Sequence, residues 1–209
     1  MNTSDIYKEQ IALINNPFLR QTVVDTLNKA PECIQVIPAS SSGKYHSEGD
    51  CMTGYVDESG ITHTGGLVNH TKSVVAIANE LFRAFDYDDE DKDCILAACI
   101  VHDCMKPDLT AEHRTRFDHP LLASDLFKKN AEKYCDKDVR MDSMIRTICN
   151  AIESHMGKFN TSIREDTVLP IPVSAIERFV HLCDYIASRR FINVDLTKYT
   201  FERVTEDGI

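Results

Sequence analysis

The stretch Cys94-Ile95-Leu96-Ala97-Ala98-Cys99-Ile100-Val101, followed at once by His102-Asp103, decides how this chain folds. Residues 94–101 carry no charge and no helix breaker, so they predict a helix that is apolar on every side, and such a helix is buried rather than half-exposed. It ends on an imidazole and a carboxylate. An ionised aspartate there needs a cation or several hydrogen-bond donors, so the doublet marks a place where chemistry is expected.

Working outward, Leu67, Val74, Val75, Ala78, Leu81 and Phe82 recur at helical spacing and predict a second core helix upstream. Downstream, helices are predicted at Leu121 to Tyr134, Met141 to Glu153 and Val173 to Arg190, the last opened by Pro172 and a Ser174/Glu177 capping pattern. At the other end, Asn16-Pro17 reads as an N-cap with proline in the first turn and separates helices at about 4 to 15 and 17 to 29. Between these regions, Pro38 to Gly66 is rich in Ser, Gly, His and Thr, a long loop with a small hairpin through Tyr55-Val56 and Ile61-Thr62. A loop of that length is either disordered or functional; His46 and His63 within it favour function. The fold class is mostly α. No alternation of strand and helix, internal repeat, GxGxxG, P-loop or GxSxG is present.

The 209 residues are 43% hydrophobic and 27% charged, ordinary for one globular core. No run approaches the roughly 18 apolar residues of a membrane helix, and Met1 to Gln10 lacks the apolar centre of a signal peptide, so a soluble, cytoplasmic protein is expected. The eight cysteines form no CxxC pair, and several lie in apolar helical runs, which argues for reduced thiols rather than a disulfide framework. A net charge of -10 repels polyanions, so long nucleic acid is a poor partner.

Chemistry is concentrated in His70 near one helix start, His102-Asp103, His119 and His155 at helix ends, and Asp184 within the last helix. Imidazole nitrogens and carboxylate oxygens ligate divalent transition metals, and four histidines with two aspartates suffice for two ions if one carboxylate bridges. Asp103 is the natural bridge. Taken singly, each histidine is more often a hydrogen-bonded core or surface residue than a ligand; the ordered set is what carries weight.

That order resembles the HD superfamily of metal-dependent phosphohydrolases, over roughly Pro38 to Arg190. His63-Thr64-Gly65-Gly66-Leu67-Val68-Asn69-His70-Thr71 is similar to the "GGL..HT" entry of a subgroup that includes the HD domain of Gram-positive 3′ to 5′ exoribonucleases. Val101 to Lys106 resembles "HDxGK" with Met105 in place of glycine, and Asp118-His119-Pro120 a "HP" step. Ser154-His155-Met156-Gly157 resembles "SHHG" with Met156 at the second histidine, and His181 to Asp184 the closing "HxxD". The resemblance implies a single-domain HD-type helical bundle at 38–190, with a helical segment at 1–37 packing on it and a C-terminal extension at 191–209. It implies His70, His102, Asp103, His119, His155 and Asp184 as ligands of two divalent ions, among Mn, Fe, Co, Ni or Zn.

Lys106 and Arg189 then read as cations for a substrate phosphate or as solvated charges, and Arg114, Arg116 and Arg190 are weaker candidates of the same kind. His181 reads as an orienting imidazole or a plain core or surface histidine. His46 and His63 either donate to a leaving oxygen or are exposed loop residues, and His113 is expected to face solvent. Gly65 and Gly66 are either a simple turn or a site of close backbone approach. The expected activity is hydrolysis of a phosphoester or phosphodiester in a small or cyclic nucleotide, with Asp103 and Lys106 catalytic and Lys106, Arg189 and His181 on the substrate. Alternatives are an exonuclease-like action on short single strands, a di-iron oxygenase and a regulatory module without turnover.

Overall fold

Eight helices occur among the described residues of the computed structural model, which are 2–40, 43–107, 115–134, 139–192 and 194–205. They are α1 (Thr3–Ile6), α2 (Lys8–Ala12), α3 (Pro17–Lys29), α4 (Gly66–Leu81), α5 (Asp89–Val101), α6 (His119–Ala131), α7 (Val139–Ser154) and α8 (Ala175–Ala187). His113, expected to face solvent, the candidate Arg114, and Cys135 lie outside the described residues.

Helix α5 is the axis. Residues 92 to 101 are all buried, and the helix packs against α2, α3, α4, α7 and α8. Burying each Ile or Leu stabilises by about 1.5 to 3 kcal/mol, so this uninterrupted run fixes the position of whatever follows it. The helix begins five residues before the apolar run, because Asp88 accepts a hydrogen bond from the Asp91 N–H and Asp89, Glu90 and Asp91 complement the dipole of the first turn.

The other helices follow their apolar stripes. Met144, Ile145, Ile148, Cys149 and Ile152 bury one face of α7. Asn16 caps α3 by accepting from Phe18 and Leu19, with Pro17 behind it. Ser174 caps Glu177, whose carboxylate accepts from the Val173 N–H, one residue before the partner a regular capping box would use. The helix expected over 4 to 15 is broken at Tyr7, whose backbone leaves the helical region while its ring lies 1% exposed in the core.

The long segment before α4 is ordered by close contacts. Strands β1 (Tyr55–Val56) and β2 (Thr62–His63) pair antiparallel, with Tyr55 opposite His63. The register lies one residue beyond the expected Ile61-Thr62, because Asp57 accepts from the N–H groups of Ser59 and Ile61 and draws Ile61 into the turn. A short 3₁₀ turn (Gly49–Cys51) packs on the first turn of α4, where a Cβ on Gly66 would lie 2.1 Å from the Asp50 carbonyl oxygen. Close approach, rather than a simple turn, is what these glycines permit.

Residues beyond α8 return to the core. Val204 is buried, Arg203 pairs with Asp93 on α5, and Asn79 on α4 donates to Tyr199 Oη and to the Glu202 carbonyl. The seven described cysteines are free thiols. Among the described residues no helix is long and apolar enough to cross a membrane.

Candidate metal centre

Helix ends bring the chemistry together. α5 delivers His102 and Asp103 at its C-terminus, α7 delivers His155 in the same way, and α6 starts on His119, with Pro120 next. α4 adds His70 and α8 adds His181 and Asp184. All six residues that the sequence assigns to metal converge here. His70, His102, Asp103, His119 and His155 are each 1 to 2% exposed.

Asp103 divides the set. Its Oδ1 lies 2.9 Å from His119 Nε2 and 3.6 Å from His155 Nε2, while its Oδ2 lies 3.4 Å from His102 Nε2 and 4.0 Å from His70 Nε2. Asp184 Oδ1 completes the second group, 3.0 Å from His70 Nε2 and 3.8 Å from His102 Nε2. Lys106 Nζ sits 2.6 Å from Asp103 Oδ2, so the lysine expected to face substrate is ion-paired with this carboxylate.

The tautomers decide what the centre can hold. His102 Nδ1 donates to the Cys99 carbonyl at 2.8 Å, His119 Nδ1 to Arg116 at 2.6 Å and His155 Nδ1 to Ile152 at 2.7 Å. A carbonyl only accepts, so in each neutral ring the proton is on Nδ1 and Nε2 carries a lone pair. Three lone pairs therefore face a carboxylate, and His102 Nε2, His119 Nε2 and Asp103 Oδ1 have no hydrogen-bond partner although buried. Acceptors crowded against acceptors are costly unless a cation joins them. Burial holds His119 below the usual histidine range, against the opposing charge of Asp103. The donor set fits divalent transition metal: His70, His102 and Asp184 form one group that could hold an ion and His102, Asp103 and His155 another, with His119 against Asp103.

The carboxylates are ionised. Burial would raise Asp103, but the Lys106 ammonium beside it outweighs burial and holds the carboxyl well below its ordinary range. Burial likewise would raise Asp184, and the hydrogen bond from His70 Nε2 brings it far down. At the C-terminus of α5 the helix dipole adds negative potential, a further reason for cations at this spot.

The HD domain family matches residues 67–189, more than half of the chain. The chain belongs to that family. No curated protein and no solved structure matches it. An HD domain implies a metal-dependent phosphohydrolase that binds divalent metal, in keeping with the buried His and Asp groups.

The HD centre opens into a cleft of about 320 Å³ whose lining includes His70, His155 and Asp184 together with Lys106, His181 and Arg189. His181 donates from Nδ1 to the His155 carbonyl at 2.7 Å, and its ring lies against Gly157, where a Cβ would come within 2.3 Å. Arg189 is held over the Tyr185 ring at 4.3 Å and beneath Tyr45 at 5.5 Å, and donates to Ser188 Oγ. The remaining candidates are elsewhere. Arg116 makes a bidentate pair with Asp118, Arg190 is exposed outside the cleft lining, and His63 pairs with Asp57 on the hairpin. His46 does line the cleft, bonded to Asp50 at 3.2 Å. Sequence reasoning missed Asp50, Tyr45, Tyr185 and Phe159. Only Tyr185 had a local signal, its spacing of four from Arg189 in the segment expected to be one helix through Arg190.

Proposed function

We propose that this HD domain hydrolyses a small phosphate ester, a nucleotide or cyclic dinucleotide, at a site holding two divalent ions. His70, His102 and Asp184 would hold one ion and His119 and His155 the other, with Asp103 shared. The observation that carries the reading is the set of buried imidazoles that donate from Nδ1 to backbone carbonyls and turn Nε2 to both oxygens of one carboxylate. Ions bound there supply Lewis-acid polarisation of phosphoryl oxygens and acidify water near neutral pH.

The chain's own residues supply the rest. Arg189, preset by Tyr45, Tyr185 and Ser188, offers charge to a phosphate at the cleft mouth. Lys106 neutralises Asp103 until cations occupy the centre, and its ammonium is then available to substrate. His181 is locked in one tautomer by His155 and orients groups entering the cleft. The cleft volume is near the lower end of the roughly 300 to 1,000 Å³ typical of small-ligand sites, which with the acidic charge favours one small ligand over a strand.

The test is a panel of Mn, Fe, Co, Ni and Zn against bis-p-nitrophenyl phosphate, mononucleotides, triphosphates, cyclic dinucleotides and short RNA, with elemental analysis alongside. Two ions per chain and metal-dependent release from a small ester are expected. Absence of hydrolysis with every pair, or oxygen consumption by anaerobically prepared iron protein, would overturn the reading; fastest cleavage of RNA would replace it with the exonuclease-like one.

A further inference from the structure

One imidazole of the centre differs from the others. His70 uses Nε2 as a donor, to Asp184 Oδ1 at 3.0 Å, while its Nδ1 is buried without a hydrogen-bond partner. Resting on the metal reading above, ligation through Nε2 requires a lone pair there, so the proton has to reside on Nδ1 instead. The change is one of tautomer: only the position of the proton differs. On Nδ1 the proton needs an acceptor, since an orphaned buried N–H is costly.

The group facing Nδ1 is Asp50, whose Oδ2 lies 3.9 Å away. Asp50 belongs to the loop before α4, outside the residues that match the family. Three contacts hold it there: His46 Nδ1 at 3.2 Å from the same oxygen, the Ala39 N–H on its carbonyl at 2.7 Å, and the fit of its backbone against Gly66 on the helix that carries His70. We propose that Asp50 is the positioning residue for His70, accepting a hydrogen bond from Nδ1–H so that Nε2 is free for the ion shared with His102 and Asp184. A hydrogen bond there needs an approach of about 1 Å, to the usual 2.7 to 3.2 Å.

An additional ion held by His46, Asp50 and His70 is the competing use of the same atoms, which come within 4.8 Å of one another. A neutral imidazole has one lone pair, however, and His70 cannot give it to two ions at once. Asp50 as acceptor satisfies both nitrogens.

The experiment titrates the full chain with Mn²⁺ alone, counting free ion by electron paramagnetic resonance. Wild type should bind two ions. Asp50→Ala should weaken one of them by about 10- to 100-fold and leave the other unchanged, and Asp50→Asn, which keeps an oxygen acceptor, should fall between. In Zn²⁺-loaded wild type, two-bond ¹H–¹⁵N correlations should show the His70 proton on Nδ1. A proton on Nε2, unchanged affinity for both ions, or equal loss of both would overturn the role of Asp50. Wild type that binds no Mn²⁺ or Zn²⁺ would overturn the metal reading itself, and this inference with it.

Discussion

Replacing Asp103 by Asn should remove most of the heat stability that divalent ions confer, and replacing Asp184 by Asn about half of it. An ion present at a hundred times its Kd stabilises the folded chain by about 2.7 kcal/mol per site. For a chain of this size about 2 to 4 °C accompany each kcal/mol, so each ion should raise Tm by about 5 to 11 °C. Asp103 turns Oδ1 to His119 and His155 and Oδ2 to His102, so loss of its charge touches both groups. A hundredfold weaker Kd at each leaves about 0.4 kcal/mol per site at the same ion concentration, a shift of about 1 to 2 °C. Asp184 approaches only His70 and His102, so its variant should keep the other site. The Asp103→Asn change also strands Lys106, at a cost of up to about 3 to 5 kcal/mol without metal. The quantity to measure by calorimetry is therefore the Tm difference between chelator and Mn²⁺, not the absolute Tm. A wild-type difference in Asp103→Asn, or equal losses in the two variants, would refute the division of the centre by Asp103.

Three further outcomes follow from contacts described above. Lys106→Ala removes the ammonium that occupies Asp103 Oδ2, so Mn²⁺ should bind at least as tightly while kcat/KM on phosphate esters falls about 10- to 150-fold, from a loss of about 1.5 to 3 kcal/mol; metal loss would instead make Lys106 structural. Gly157→Ala puts a Cβ into the His181 ring at a backbone φ of +57°, and should lower stability by more than about 1 kcal/mol and slow turnover, with an unchanged Tm counting against the contact. Asp93→Ala breaks a buried carboxylate that accepts from the Asn15 and Asn16 N–H groups and from Arg203, and denaturant titration should show a loss of about 3 to 5 kcal/mol; a loss under about 1 kcal/mol would mean the ends of the chain are not anchored there.

The helices and the six-residue convergence were legible because their signals are local: an apolar run, a stripe, a cap, a His-Asp doublet. Errors fell where tertiary contacts override local pattern. Tyr7 breaks a continuous amphipathic segment because its ring goes to the core, and Asp57 moves the hairpin register by one residue through side-chain bonds to two backbone amides. The start of α5 was readable from the Asp88 to Asp91 run, a capping aspartate followed by acids that suit a first turn. Asp50 was not readable, since its meaning comes from a backbone packed on Gly66 and an imidazole on another element. Tyr45 reaches Arg189 across most of the chain, and no spacing rule anticipates that.

The return of residues 199–204 to α4 and α5 bears on synthesis. Asn79 and Asp93 are made early, yet Tyr199, Glu202 and Arg203, which pair with them, leave the ribosome more than a hundred residues later. Until then a nascent chain carries Asn79 without these partners and Asp93 with the Asn15 and Asn16 N–H groups but not Arg203, a state that domains folding during translation pass through with apolar surface uncovered. The polar contacts that Arg203 makes with α5 and with Leu13 thus close last, after every helix they join has been made.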